Sequence, residues 1–205
     1  MKKRYGKPID IAKFKKPVLE NIRGHLQKIT SIVEYLSKQE TPIQQSTCYV
    51  CGNSEADPSA EIYGFTYLRC QTCGHYYTST RYSDEAILRF YKKNTYWAES
   101  TYANKETCHY RREQVARPKV EFAEQHGGKI ENGLWIDIGS GIGDLVSIAA
   151  EHGWKTLGLE LSETSVAFAK EIFDITLEPT TLDDYLAHHP ELVGSAHMVS
   201  AIGLL

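Results

Sequence analysis

A short apolar run, Leu134-Trp-Ile-Asp-Ile138, passes without a break into Gly139-Ser-Gly141-Ile-Gly143-Asp144 and then into an amphipathic stretch ending near His152. This pattern is a strand, a tight turn and a helix. Leu145, Val146, Ile148 and Ala149 form the apolar side of that helix, and Gly153 stops it. A second strand is expected from Lys155 to Glu160, and Ser162 is placed to cap a helix over Glu163–Phe173. Ile175–Leu177 reads as a third strand, Asp183–His188 as a short helix, and Ala196–Leu205 as the start of a fourth strand buried on both faces. A βαβαβ order predicts an α/β fold with a parallel, doubly wound sheet. The sequence stops where the fourth strand should just be ending, and such a sheet needs more strands to cover its edge, so the sheet is expected to be partial. Truncation is the preferred reading, and a minimal domain completed by a partner chain is the alternative.

Glycines in the turn let the backbone bend sharply and let a ligand approach the main chain. Their spacing argues against a dinucleotide. That fingerprint would need its third glycine at position 144, which is Asp, whereas the glycine stands at 143. Asp137 and Asp144 would repel a pyrophosphate. They suit a ligand carrying an ammonium and a sulfonium, whose single carboxylate could rest on the loop amides. Glu160, at the end of the second strand, can accept hydrogen bonds from two ribose hydroxyls.

Cys48-x-x-Cys51 and Cys70-x-x-Cys73 are separated by 18 residues. Two such pairs fit a tetrahedral four-thiolate zinc site, and with every position filled by protein the metal's role is structural. Gly52 and Gly74 come directly after the pairs and suit the turns. A redox pair is the alternative for either CxxC alone. Cys108 is left over as a buried or free thiol, and His75 and His109 are not needed as ligands.

The remaining chain is organised around these two features. Residues 1 to about 17, with Pro8 and Pro17, read as a basic, extended and solvated lead. Val18–Gln39 is expected to be a helix, with Leu19, Ile22, Leu26, Ile29, Val33 and Leu36 forming one stripe. The stripe is too short for a coiled coil, so docking on the chain's own domain is preferred over a homodimer seam. Glu40–Thr47 reads as a polar linker, and residues 48–80 as a small, loop-rich ribbon. Ser83 would cap a helix over Asp84–Lys92 with Ile87, Leu88, Phe90 and Tyr91 on its apolar side. An aromatic stretch with Tyr96, Trp97 and Tyr102 comes next. Another helix spans Arg111–Gln125, kinked at Pro118 and ended by Gly127-Gly128. The divisions are therefore 1–47, 48–80, 81–128 and 129–205. A net charge of −3 argues against nucleic acid as a partner. No run is long and apolar enough for a membrane span or a signal peptide, so no membrane partner and a cytoplasmic location are expected.

Residues 134–173 resemble motif I and the adjoining acidic-strand motif of class I S-adenosylmethionine-dependent methyltransferases, whose fold is Rossmann-like. Together with the zinc ribbon, residues 48–205 resemble the ribbon-bearing subgroup that includes sugar C-methyltransferases. The resemblance implies that Asp137, Gly139, Ser140, Gly141 and Gly143 surround the methionine moiety. It implies that Glu160 holds the ribose, and that Leu161 and the Thr181-Leu182 region flank adenine. The cofactors implied are S-adenosylmethionine and zinc, and the partner is a small-molecule acceptor. The Arg111-Arg112 pair falls where the subgroup caps its pocket, although packing is the plainer role. The helical lead and the missing later elements depart from the family, so no catalytic base is assigned. Two other functions stand as alternatives: a non-catalytic ribbon protein with a degenerate domain, and an NAD-dependent oxidoreductase.

Overall fold

A computed structural model describes residues 8–93 and 104–203. The expectations for Met1–Lys7, for Tyr96, Trp97 and Tyr102, and for the last two residues lie outside the described residues. The chain divides into two compact units, one of residues 22–90 and one of residues 1–21 with 91–205.

In the first unit, helix α3 (Ile22–Gln39) precedes a short strand β1 (Ile43–Gln44). Strands β2 (Ala56–Ile62), β3 (Phe65–Cys70) and β4 (Tyr76–Thr78) form an antiparallel sheet in that order. Strand β5 (Thr80–Arg81) pairs with β1, and α4 (Asp84–Lys93) comes after it. The ribbon is thus a regular three-stranded sheet rather than a loop-rich segment. The expected linker is structured too. Ile43 pairs with Arg81, and both Glu40 carboxylate oxygens accept from Ser83, its N–H at 2.5 Å and its Oγ–H at 2.8 Å. Ser83 in turn caps α4 by accepting from the Ala86 N–H at 3.2 Å. Leu36, Tyr82, Ala86 and Phe90 form the local core, with Ile32, Phe65 and Ile87 against it. Leu88 and Tyr91 are exposed, so the apolar side of α4 is narrower than the sequence implies.

The stripe on α3 is covered at one end only. Leu36 is buried, whereas Leu26 and Ile22 are about half exposed. Leu19 belongs to a different element, because the backbone leaves the helical region at Asn21 (φ −144°). Before it, α1 (Ile11–Phe14) and α2 (Lys16–Glu20) replace the expected extended lead. Asp10 initiates α1 by accepting from Ala12 N–H at 2.9 Å. Pro17 is tolerated because it sits in the first turn of α2, where its missing N–H has no partner to lose.

The second unit continues with α5 (Lys105–Arg111), a π-helical turn (Arg112–Ala116) and α6 (Arg117–Gly127). The run begins earlier than expected, capped by Asn104, whose side chain accepts from Thr107 N–H at 2.7 Å. Its irregularity precedes Pro118, which lies in the first turn of α6 and breaks nothing. Gly128, at φ 84°, ends it. The chain then forms β6 (Leu134–Ile138), α7 (Asp144–Glu151), β7 (Lys155–Leu159), α8 (Glu163–Phe173), α9 (Leu182–His188) and β8 (Met198–Ala201).

These strands form one parallel sheet in the order β7-β6-β8. The third expected strand is reduced to a single bridge, between Leu159 and Glu178. Pairing begins three residues later than the apolar run, and Pro179, lacking an N–H, cannot extend it. The fourth strand is shorter than expected and is not buried on both faces. Val199 is 56% exposed, on the face of β8 opposite Met198, and among the described residues β8 pairs with β6 alone. Ala116, Val120, Trp135, Leu145, Ile148, Ala149 and Trp154 form the core between β6, α6 and α7. The two tryptophans meet edge to face at 5.3 Å.

A charged lattice ties the 105–127 run to α7. Arg112 donates to Ser147 Oγ at 2.9 Å and pairs with Glu113 and, at 2.5 Å, Glu151. Arg117 joins Glu113 and Glu151. Its guanidinium also lies 3.3 Å from His152 Nε2. An arginine only donates, so that nitrogen accepts and the Nδ1–H points to Glu124, at 2.9 Å. Glu124 also accepts from Trp154 Nε1–H at 2.8 Å.

Candidate functional site

The loop after β6 is shaped by three left-handed residues, Gly139 (φ 68°), Gly141 (φ 58°) and Gly143 (φ 71°). A side chain at Gly143 would also collide with Ile175, whose Cδ1 lies 2.2 Å from the position of a Cβ. The loop folds back onto the end of β7. The N–H groups of Gly139 and Ser140 both donate to the Leu159 carbonyl, at 2.8 and 2.9 Å. Gly141 N–H donates to Glu160 Oε2 at 2.8 Å, and Gly143 N–H to the Ser140 carbonyl at 2.8 Å. At the start of α7, Leu145 N–H donates to Asp144 Oδ1 at 3.0 Å. The expectation that the loop amides would hold a ligand carboxylate therefore meets amides already engaged inside the protein.

Beside the loop lies a cleft of about 100 Å³, lined on the loop side by Asp137, Gly139, Ser140, Gly141 and Asp144. Arg111 and Lys119, from either side of the π-helical turn, line it as well. The volume is below the several hundred Å³ of a whole drug-sized ligand, so the cleft matches one end of an extended molecule. Asp137 is buried, and Ser200 donates to its Oδ1 at 2.5 Å, while Ser200 Oγ accepts from Trp135 Nε1–H at 2.8 Å. Burial pushes the Asp137 carboxyl up to about 6, against the lowering effect of Ser200 and with help from the Asp144 charge. Burial also raises Asp144, opposed chiefly by the Arg111 guanidinium.

The remaining predicted residues fall around this cleft rather than in it. Glu160 bridges the loop to the next helix, since Oε1 accepts from Ser162 N–H at 2.8 Å. Burial raises its carboxyl, opposed by the N–H groups of Ser162, Gly141 and Leu161. Each oxygen keeps a second lone pair, yet the first task of Glu160 here is loop closure. Leu161 stands next to it and is half-buried. Thr181 caps α9, its Oγ1 accepting from Asp184 N–H at 3.1 Å, and Leu182 begins that helix. Sequence reasoning missed Lys119 and Ser200. Ser200 becomes visible only once β8 is aligned with β6, which sets it opposite Asp137.

The other unit carries the cysteines. The thiol sulfurs of Cys48, Cys51, Cys70 and Cys73 all lie within 4.8 Å of one another. Cys48 and Cys73 are 3.6 Å apart, and Cys51 and Cys70 are 3.5 Å apart. Metal–sulfur bonds of about 2.3 Å in a tetrahedron give sulfur–sulfur edges of about 3.8 Å, so the four can hold one structural metal ion. Each knuckle is closed by its glycine, Gly52 N–H donating to the Cys48 carbonyl at 2.9 Å and Gly74 N–H to the Cys70 carbonyl at 3.0 Å. The Cys73 backbone N–H, outweighing burial, brings Cys70 down to about 7. Burial and the three neighbouring thiols, against the N–H of His75, push Cys73 up to about 12. Cys108 lies elsewhere, fully buried, with its thiol raised to about 11 by burial.

No protein-family model matches the sequence, and no curated protein matches it. Among the described residues no helix is long and apolar enough to cross a membrane.

The state of Asp137 has a measurable consequence. Its native value, about 6, lies above the unfolded value near 3.8. The native state therefore binds more protons between those values, and stability falls as pH rises through that window. Above it, the full penalty of up to about 3 kcal/mol is present. Asp137→Asn should raise the denaturation midpoint at pH 7 and flatten its decline between pH 4 and 6. A variant less stable than wild type at pH 7, measured by urea titration, would contradict this.

Proposed function

We propose that this chain is the S-adenosylmethionine-binding part of a class I, Rossmann-like methyltransferase that acts on a small-molecule acceptor. The observation that carries this reading is the pairing of an inward-bonded glycine loop with two carboxylates, the buried Asp137 and the half-buried Asp144. A phosphate needs free N–H groups at such a loop. Here those of Gly139, Ser140, Gly141 and Gly143 are engaged, and the carboxylates Asp137 and Asp144 offer a place for a cationic group beside the loop. An ammonium-bearing ligand is favoured instead, and a bound cation would draw Asp137 back to its charged form. When bound, S-adenosylmethionine supplies a methyl group on a positively charged sulfur. The chain's own residues orient that ligand and exclude water from it. Glu160, fixed by Gly141 and Ser162, retains acceptor capacity for ribose hydroxyls. The metal we assign to the four cysteines is zinc, in a structural role, because thiolates fill all four positions.

Isothermal calorimetry comparing S-adenosylhomocysteine with NAD tests the cofactor reading. One S-adenosylhomocysteine is expected to bind per chain, with no heat from NAD. NAD binding with S-adenosylhomocysteine silent would contradict it. For the metal, elemental analysis should find about one zinc per chain. Cys70→Ser should lose it and leave residues 22–90 sensitive to protease. A wild-type chain purified without stoichiometric zinc, and folded in that unit, would overturn the assignment.

A further inference from the structure

We infer that Arg111, assisted by Lys119, is the group that recognises the α-carboxylate of the ligand's amino-acid end, and so selects ligands with a zwitterionic terminus. The inference rests on the cofactor reading above and adds a specificity residue to it.

An anion entering this cleft needs donors, and most of the loop's N–H groups are already engaged. Gly139, Ser140, Gly141 and Gly143 donate to Leu159, Glu160 and Ser140, and Leu145 donates to Asp144. The remaining wall of the cleft comes from the 105–127 helical run. Arg111 is the last residue of α5, and Lys119 lies in the first turn of α6. Between them stands the π-helical turn, Arg112–Ala116. A π-helical insertion rotates the next helical segment by about one residue, roughly 100°. This one leaves Arg111, Val115, Ala116 and Lys119 lining the same small cleft as Asp137 and Asp144. Two carboxylates and two cations line a space of about 100 Å³. That is the charge complement of an α-amino acid, with the ammonium toward the aspartates and the carboxylate toward the arginine.

Arg111 is also held in place. Its guanidinium stacks over the Phe14 ring at 4.4 Å, which orients the planar fork. Its positive charge favours the ionised form of Asp144, against the effect of burial. Lys119 is exposed and adds charge without a fixed geometry.

The test compares S-adenosylhomocysteine with 5′-methylthioadenosine, which keeps the nucleoside and thioether but lacks the amino-acid end. Arg111→Met, which keeps a side chain over Phe14, should weaken S-adenosylhomocysteine at least about tenfold. It should leave methylthioadenosine within about twofold. Lys119→Met should have a smaller effect in the same direction. Should Arg111→Met fail to fold by circular dichroism, Arg111→Lys replaces it. It should weaken S-adenosylhomocysteine but not a derivative lacking the carboxylate. Unchanged S-adenosylhomocysteine affinity in a folded Arg111 variant overturns the assignment while leaving the cofactor reading intact. Equal weakening of both ligands also overturns it, because it marks a structural role. If the wild-type chain binds neither ligand, the cofactor reading falls and takes this inference with it.

Discussion

The grip of the β7 end on the glycine loop governs everything at the mouth of this sheet. One carbonyl, Leu159, accepts two loop N–H groups, and one carboxylate, Glu160, spans Gly141 and Ser162. These bonds satisfy buried backbone that would otherwise be costly to leave bare. They also fix what the loop can do. With the amides of Gly139, Ser140, Gly141 and Gly143 turned inward, most of the loop's donors are spent, and the cleft's character passes to side chains. Asp137 and Asp144 set one sign, Arg111 and Lys119 the other.

The helical wall of the cleft is held by a different kind of interaction. Arg112, Glu113, Arg117 and Glu151 form a lattice at the surface of α7, and His152 and Glu124 extend it to Trp154. Single exposed pairs of this sort contribute only about 0–1 kcal/mol each. Shared partners and the apolar contact of Ala116 and Val120 with Leu145 and Ile148 make the wall cooperative. Its position relative to the loop therefore depends more on packing beneath it than on any one ion pair.

Much of this was legible in the sequence where the signals are local. The helix capped by Ser162 runs from Glu163 to Phe173 as read, and β6 covers Leu134–Ile138. The cysteine cluster was legible from spacing alone, because each CxxC closes its own knuckle. Failures came where distant partners decide. The third strand dwindled to a bridge at Glu178 beside Pro179, and β8 lies at an edge that composition does not reveal. The segment after Gln39 shows the same limit, since Glu40 reaches forward to Ser83. Arg111 was singled out in the sequence, but its pairing with Lys119 was hidden for a geometric reason. A plain 3.6-residue wheel through 105–127 ignores the π-helical turn and so misplaces Arg111 relative to Lys119.

The most direct test tracks the carboxyl carbon of Asp137 by NMR as pH is varied, with and without S-adenosylhomocysteine. Free protein should show a midpoint near 6. Saturating ligand, by setting an ammonium beside the buried carboxylate, should move that midpoint clearly downward. A midpoint that stays in place at saturation would contradict recognition of the cofactor's amino group by Asp137.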